Sequence, residues 1–420
     1  MKRGFYTIMA AQFFSSLADN ALLFVAIDVL TTMKSPAWIT PLLKLSFVLF
    51  YVLLAAFVGA FADTLPKGRV MFIANIIKIA GCALMFFHIH PLIAYAVVGF
   101  GAAVYSPAKY GILTELLPAE KLVAANGWIE GSTVTSIILG TVMGGALVGS
   151  HVSSMLLSID IPYIDTGIST APEAALCVVV GTYVIGALFN LRIPDTGCVY
   201  RRQERNPLKL VSDFANCYSI LWKDKLGQIS LSVTTLFWGA GATLQLIVLE
   251  WARKSLHMPY DKATSLVGVV AIGVAFGAGL SARWVPLKKS LTVIPLGIVM
   301  GLIVMFMTQV HSTALAYFLL LVIGGLSGFF VVPMNALLQH RGHVLMSAGH
   351  SIAVQNFNEN LSILTLLAVY SIMLSLHLDL SIIIVAFGLF VAGTMYVIMR
   401  KHAANQREHD SLALIGEQKH

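Results

Sequence analysis

Apolar segments long enough to cross a lipid bilayer recur along the whole chain, and they constrain its fold more than any other feature. Twelve such segments are centred near residues 20, 51, 80, 102, 137, 182, 238, 273, 299, 325, 362 and 389. A helix of about 20 apolar residues crosses the hydrocarbon core and satisfies its own backbone hydrogen bonds there. The sequence therefore predicts an all-α integral membrane protein with twelve transmembrane helices.

The amino-acid composition supports this prediction. Of the 420 residues, 58% are hydrophobic and 11% are charged, whereas roughly 25% of the residues in soluble domains are charged. The first apolar stretch runs from Phe5 to about Thr32. It is longer than the apolar core of a signal peptide, so we expect no cleavage.

The distribution of Lys and Arg residues predicts the orientation of the chain. With the N-terminus inside, twenty of the 27 Lys and Arg residues fall in inner loops and tails and five fall outside, while Lys78 and Lys109 lie within helices. Basic residues are enriched on the cytoplasmic side of membrane proteins, so both termini are predicted to be cytoplasmic. The net charge of +7 then reflects topology, and we expect no nucleic-acid partner.

A polar loop between the sixth and seventh segments divides the chain into two six-helix halves. We predict an N-terminal half at 1–191, a cytoplasmic linker at 192–225, a C-terminal half at 226–402 and a cytoplasmic tail at 403–420, in which roughly the last fifteen residues are disordered. Segments four and ten also share a pattern of Gly, Pro and a polar residue, at Gly99, Pro107 and Lys109 and at Gly325, Pro333 and Asn335. Internal repeats with a binding site near the midplane are typical of secondary transporters.

Polar and ionisable side chains inside the apolar segments are candidates for a binding site, because a charge at the bilayer centre costs roughly 2.5–3.5 kcal/mol on insertion scales. Segment one carries Gln12, Ser16 and Asp19 on one helical face, with Asn20 beside them. The other candidates lie in segments four, seven, ten and eleven: Lys109, Gln245, Asn335, Gln355, Asn356, Glu359 and Asn360.

We interpret these side chains as the lining of a water-filled cavity, in which Asp19 attracts a cationic group and Lys109 an anionic group. The alternative is structural: interhelical hydrogen bonds and an Asp19–Lys109 ion pair that hold the bundle together. Glycines spaced four residues apart in segment five (Gly140 and Gly144) and segment eight (Gly273 and Gly277) predict close helix packing, either static or at a moving seam.

The loop after segment two carries a candidate conformational latch. Asp63 ends a helix on the predicted cytoplasmic side and is followed by Lys67 and Arg69. A carboxylate in this position can face the N-terminus of another helix, where the helix dipole favours negative charge. We therefore predict a latch formed by Asp63 and Arg69, with an ordinary turn as the alternative.

This loop resembles the signature of the major facilitator superfamily, Gly-x-x-x-Asp followed by Gly-Arg, at Gly59, Asp63, Gly68 and Arg69. Longer strings at residues 18–24, 105–113, 236–241 and 329–339, with Gln355-Asn356 and Glu359-Asn360, resemble the bacterial lysophospholipid transporter family. The resemblance covers about residues 5–400. It departs at Gln245, where the family leads us to expect a basic residue.

The resemblance implies transport of lysophosphatidylethanolamine and lysophosphatidylglycerol from the outer to the inner leaflet of the inner membrane. A cytoplasmic acyltransferase–acyl carrier protein synthetase would then reacylate them. Lys109 can pair with the phosphate, Asp19 and Glu359 can bind the ammonium group, and Asn20, Asn335 and Asn356 can bind glycerol hydroxyls. We expect alternating access, a monomer, and contact with membrane lipids.

Other functions are less well supported by the residues. A proton-coupled exporter of amphipathic drugs would share the fold and the buried acid. A membrane acyltransferase would need a catalytic His beside an acid, and His340 and His343 lack that pattern. A non-transporting scaffold would not explain the buried charges. With no ATP-binding motif and no Cys or His spacing of a metal site, we expect no catalysis, cofactor or metal.

Overall fold

The computed structural model describes residues 3–35, 39–158, 168, 170–198, 206–258, 260–408, 410, 413 and 415. All regular structure in this part of the chain is helical, and three short 3-10 helices accompany the α-helices. The α-helices are α1 (Arg3–Thr32), α2 (Thr40–Leu53), α3 (Ala55–Ala62), α4 (Lys67–Phe86), α5 (Pro91–Leu116), α6 (Leu122–Val148), α7 (Ser150–Leu157), α8 (Ala171–Leu191), α9 (Pro207–Lys223), α10 (Gly227–Lys254), α11 (Tyr260–Trp284), α12 (Ile294–Met305), α13 (Thr313–Leu345), α14 (Ala348–Ser375) and α15 (Leu380–Glu408).

The prediction of twelve membrane-spanning segments is confirmed. Eleven spans of the described residues are long and apolar enough to cross a bilayer as continuous segments. The twelfth consists of α2 and α3, which are bent by 67° at the break after Leu53. The ninth span joins α12 to 3-10 turns at both of its ends, over Leu287–Gln309.

The described residues form two compact units. Unit 1 contains Met1–Ile112 and Thr135–Leu210, and unit 2 contains Leu113–Val134 and Val211–His420. One division falls within the predicted linker at 192–225. The other differs from the predicted boundaries, because the end of α5 and the beginning of α6 belong with the C-terminal helices.

Packing explains the placement of this segment in unit 2. Gly127 of α6 lies against Ala282 of α11, where a Cβ atom on the glycine would overlap the alanine side chain. The Asn126 side chain forms hydrogen bonds with Gln339 of α13. Both contacts join the first part of α6 to helices of the C-terminal half.

The core of unit 1 is built around α8, which packs against α1 and α4. Its buried residues include Leu22, Cys82, Val98 and Val179, from four different helices. A capping box begins α8: the Thr170 side chain and the Glu173 side chain each satisfy the other's backbone N–H group.

A helix occupies much of the predicted linker, which the sequence interpretation treated as a loop. One face of α9 is apolar, and its Leu221 is buried with Leu231 of α10, Leu338 of α13 and Val354 of α14. This burial stabilises a helix in a segment whose average polarity is high. The loop residues Arg201, Arg202, Glu204 and Arg205 lie outside the described residues.

The glycines spaced four residues apart on α6 and on α11 each pack against another helix of the same unit. A Cβ atom at Gly140 of α6 would lie 2.7 Å from the Leu17 carbonyl oxygen of α1, and one at Gly144 would lie 2.8 Å from the Ala21 carbonyl oxygen. In unit 2, a Cβ atom at Gly277 of α11 would overlap the Gly325 carbonyl oxygen of α13. These glycines therefore allow close packing between helices of the same half.

The last helix continues into the predicted disordered tail. α15 extends to Glu408, beyond the predicted boundary at residue 402. The Asn405 side chain is buried and donates a hydrogen bond to the Lys225 backbone oxygen, and Glu408 forms an ion pair with the Lys225 side chain. These contacts hold the end of the helix against the short connection between α9 and α10.

Candidate functional site

The acidic residue nearest the middle of α1 forms an ion pair with a lysine on α4. The Nζ atom of Lys78 lies 2.8 Å from Oδ2 of Asp19 and 3.0 Å from Oγ of Ser15. Ser15 and Asp19 are one helical turn apart, so they meet Lys78 together. On the other side, the Tyr183 hydroxyl of α8 donates a hydrogen bond of 2.6 Å to Oδ1 of Asp19.

The two charges of this pair differ in their exposure. The Lys78 side chain is 1% exposed, whereas the Asp19 side chain is 19% exposed. Lys78 is further surrounded by aromatic rings, with its Nζ atom 4.9 Å from the ring centroid of Tyr105 and 5.6 Å from that of Tyr183. Burying an ammonium group is costly unless it is paired, and the carboxylate and the ring faces both stabilise it.

The hydrogen-bond network around this pair extends to a second residue of α4. Ser15 donates a hydrogen bond of 2.8 Å to Oδ1 of Asn75, which is fully buried. The Nδ2 atom of Asn75 makes no hydrogen bond with the described residues. A buried amide in this state ordinarily binds an ordered water, so the interior of unit 1 is polar around Asp19.

The two other predicted site residues of unit 1 make different contacts. Lys109 of α5 is half-buried and places its Nζ atom 4.5 Å from the ring centroid of Tyr110. The Asp19–Lys109 ion pair considered from the sequence is therefore wrong, because Lys78 occupies that position. Asn20 donates a hydrogen bond of 2.8 Å to the Ser16 backbone oxygen of its own helix.

A second polar cluster lies in unit 2, where α13 and α14 meet. The Nε2 atom of Gln355 donates hydrogen bonds to Oδ1 of Asn335 at 3.0 Å and to Oε1 of Glu359 at 2.7 Å. All three side chains are buried. The Oε1 atom of Gln355 makes no hydrogen bond with the described residues, so the cluster keeps one acceptor for a ligand or a water.

The remaining residues predicted for unit 2 are Asn356, Asn360 and Gln245. Asn356 is buried, and its backbone oxygen accepts a hydrogen bond of 2.8 Å from Asn360. Gln245 is exposed on α10. The structure thus brings together Asn335, Gln355 and Glu359 of the residues predicted for this half.

A pair of amides links α6 to α13 within unit 2. Asn126 and Gln339 exchange two hydrogen bonds of 2.9 Å, each donating its NH₂ group to the other's carbonyl oxygen. Both side chains are buried. One turn further along α13, His343 lies 3.4 Å from the Thr114 hydroxyl of α5.

The predicted latch residue Asp63 pairs with Lys67. The Nζ atom of Lys67 lies 2.6 Å from Oδ1 of Asp63 and donates a second hydrogen bond to the Ala62 backbone oxygen at 2.7 Å. Both side chains are buried, and Arg69 is exposed two residues further along α4. Lys67 is thus a cation held against Asp63, and a role for Arg69 stays a prediction.

Sequence reasoning missed Lys78, Ser15, Asn75 and Tyr183. Lys78 could have been found, since it is an ionisable residue inside an apolar segment and Asn75 lies one turn before it. Tyr183 gave no comparable signal, because a tyrosine in an apolar helix is common whether or not its hydroxyl has a special partner.

The family and its relatives agree with this architecture. The family model of the Major Facilitator Superfamily matches residues 8–362. The Lysophospholipid transporter LplT of Yersinia enterocolitica is 40% identical over 377 residues, which cover 90% of this chain and 88% of the relative. LplT of Yersinia pestis strain Pestoides F matches with the same identity and coverage.

Solved structures share the fold at low sequence identity. The Major Facilitator Superfamily transporter FucP, in the outward conformation, matches with a TM-score of 0.69 at 12% identity, covering 95% of this chain and 98% of that one. A bacterial homologue of the iron transporter ferroportin, in an outward-facing state, matches with a TM-score of 0.69 at 15% identity, covering 96% and 100%. At these identities the likeness concerns the fold alone.

Twelve spans with a major facilitator fold and an ion pair between the helices define the class: a multi-pass membrane transporter. Within this class, the 40% sequence identity to lysophospholipid transporters over 90% of the chain identifies the family. The chain belongs to the bacterial lysophospholipid transporter family of the major facilitator superfamily.

Proposed function

We propose that this protein moves lysophospholipids, chiefly lysophosphatidylethanolamine and lysophosphatidylglycerol, from the outer to the inner leaflet of the bacterial inner membrane. The observation that carries the proposal is the 40% identity to lysophospholipid transporters over 90% of the chain. The polar side chains inside the spans supply the chemistry that a phospholipid head group requires.

The head group of lysophosphatidylethanolamine carries a phosphodiester anion and an ammonium cation. Lys109 is proposed to bind the phosphate, since a charge-assisted hydrogen bond to phosphate is strong and the residue is only half-buried. Asp19, whose side chain is 19% exposed, is proposed to bind the ammonium group. Glu359 is proposed as a second acceptor.

Neutral side chains are proposed to bind the hydroxyl groups of lysophosphatidylglycerol. Amides donate and accept at once, which suits a ligand whose hydroxyls do the same. The amide residues proposed for this role are Asn20, Gln245, Asn335, Gln355, Asn356 and Asn360. In unit 2, the hydrogen bonds of Gln355 to Asn335 and Glu359 hold these groups in place before the ligand arrives.

The transport cycle is proposed to follow alternating access between the two halves. The head group would cross through polar surroundings while the single acyl chain stays against apolar helix faces, so the protein must open sideways toward lipid. Two contacts are proposed to change during the cycle: the amide pair of Asn126 and Gln339, and the latch formed by Asp63, with Lys67 as its cation and Arg69 beside it.

The cellular setting is also part of the proposal. Both termini are proposed to lie in the cytoplasm, which the excess of Lys and Arg on that side supports. The twelve spans are proposed to lie in the inner membrane. A cytoplasmic acyltransferase–acyl carrier protein synthetase would consume the delivered lysophospholipid. The transporter itself is proposed to be a monomer that leaves the bonds of its substrate unchanged.

Transport by the purified protein tests this proposal. Proteoliposomes would be offered labelled lysophosphatidylethanolamine, a diacyl phosphatidylethanolamine with the same label, or a cationic amphipathic drug, under proton and sodium gradients and without them. Protein-dependent uptake of the single-chain lipid alone is the expected result. Uptake of the drug without lipid transport would replace the proposal with the drug exporter.

A further inference from the structure

Asp19 forms an ion pair with Lys78 inside unit 1, and the pair as a whole has no net charge. Lys78 binds one carboxylate oxygen and Tyr183 the other. Within the described residues, Lys78 is the cation that lies within ion-pair distance of Asp19. Each carboxylate oxygen has two acceptor sites, and each accepts one hydrogen bond in this network. Asp19, whose side chain is 19% exposed, can therefore still accept hydrogen bonds from a ligand.

Such a carboxylate suits two different head groups. Lysophosphatidylethanolamine is a zwitterion, and its ammonium group can donate to Asp19. Lysophosphatidylglycerol has a net charge of −1, and only its hydroxyls can donate. An uncompensated carboxylate would repel the second head group, because like charges brought together in a site of low dielectric constant are strongly unfavourable. A neutralised carboxylate accepts hydrogen bonds from both.

We propose that Lys78 determines the head-group tolerance of the transporter by neutralising Asp19 from inside the helix bundle, so that zwitterionic and anionic lysophospholipids share one site. This inference rests on the proposed function. Lys78 acts through Asp19 without touching the lipid, since its side chain is 1% exposed and its Nζ atom contacts the Asp19 carboxylate and the rings of Tyr105 and Tyr183. It is therefore a positioning residue that also sets the charge of the site.

The charge cycle formed by Lys78→Met, Asp19→Asn and the double variant tests the inference. Uptake of labelled lysophosphatidylethanolamine and lysophosphatidylglycerol would be measured in proteoliposomes at pH 8, and their ratio compared between variants. In Lys78→Met the site gains a negative charge, and the anionic lipid should lose at least about tenfold more uptake than the zwitterion, equal to about 1.4 kcal/mol. In the double variant the charge is again zero, and the ratio should return toward that of the wild type.

Lys67→Met provides a matched control. Lys67 is another buried lysine in an ion pair with an aspartate, at 2.6 Å, but its partner is Asp63. Its replacement can change the overall rate, yet the ratio of the two lipids should stay that of the wild type. A change of ratio in this variant as large as that in Lys78→Met would overturn the inference.

Other outcomes separate this inference from the proposed function. An unchanged ratio in Lys78→Met, or loss of the anionic lipid in the double variant as well, would show that Lys78 is structural or binds phosphate itself, and would sink the inference. If Lys78→Met does not fold, as judged by size-exclusion chromatography, Asp19→Asn decides instead: it leaves the charge of Lys78 uncompensated, so the ratio should shift toward the anionic lipid, and an unchanged ratio would overturn the inference. Absence of uptake of either lipid by the wild type would instead remove the proposed function.

Discussion

Lys78 and Asp19 form an ion pair in which the cation is the more deeply buried partner. The Lys78 side chain is 1% exposed and the Asp19 side chain 19% exposed, with 2.8 Å between Nζ and Oδ2. The buried lysine therefore fixes the Asp19 carboxylate, which is the partner that a ligand near the middle of α1 can reach. The contact also explains why a lysine is tolerated inside an apolar segment of α4, since its charge is paired within the same unit.

The hydroxyl of Tyr183 should contribute to the orientation of Asp19. Tyr183→Phe removes a hydrogen bond of 2.6 Å to Oδ1 of Asp19, and hydrogen bonds to charged groups contribute about 1.5–3 kcal/mol. We expect a lower melting temperature in detergent and a lower rate of lysophospholipid uptake. Tyr95→Phe is the control, because Tyr95 is a buried tyrosine of the same unit that does not bond to Asp19. Equal effects of the two substitutions would contradict the assignment.

Gln355 should be the most sensitive residue of the polar cluster in unit 2. Gln355→Leu removes the donor that serves both Asn335 and Glu359, and a buried polar group left without its partner costs about 1–3 kcal/mol. Asn360→Ala breaks only a hydrogen bond to the backbone of its own helix. Thermal unfolding in detergent should therefore show a clearly larger loss for Gln355→Leu, and the reverse order would refute this reading of the cluster.

The amides of Asn126 and Gln339 should show strong energetic coupling. Either Asn126→Leu or Gln339→Leu leaves one buried amide without its two hydrogen bonds, at a cost of about 1–3 kcal/mol. The double substitution removes both polar groups, so it should cost less than the sum of the two single changes. A double-mutant cycle of unfolding free energies measures this coupling. Simple additivity would mean that the two side chains do not interact in the membrane.

Close packing between α11 and α13 should make Gly277 intolerant of any side chain. A Cβ atom there overlaps the Gly325 carbonyl oxygen of the neighbouring helix, which is backbone and cannot rotate away. Gly277→Ala should therefore reduce the yield of folded protein severely. Gly279→Ala is the matched control on the same helix, since a Cβ atom at Gly279 meets nothing within 4 Å. Its stability should stay the same or rise by about 0.5–1 kcal/mol. Equal tolerance of the two changes would contradict the packing.

The sequence was sufficient to predict the membrane-spanning helices, because apolar length alone determines which segments cross a bilayer. It did not predict α9, whose stability comes from burial of Leu221 against three other helices. It also did not predict that α15 continues past residue 402, because the contacts of Asn405 and Glu408 with Lys225 join segments far apart in the chain.

The candidate site was predicted as a set of residues, but their partners were not. Periodicity along one helix places Gln12 and Asp19 on a common face, yet it carries no information on which helix faces them. The structural alternative therefore pairs Asp19 with Lys109, whereas the lysine that Asp19 contacts is Lys78. Hydrogen bonds one turn apart on a single helix, as between Gln355 and Glu359, follow from spacing and were within reach of the sequence.

Uptake of labelled lysophosphatidylethanolamine into proteoliposomes, measured for the wild type, Asp19→Asn and Lys109→Ala, tests the central claim most directly. The account predicts uptake by the wild type and a markedly lower rate in both variants, with all three proteins eluting as folded monomers in size-exclusion chromatography. Wild-type rates in both variants would move the head-group site away from Asp19 and Lys109. Absence of uptake by folded wild-type protein under every gradient would contradict lysophospholipid transport itself.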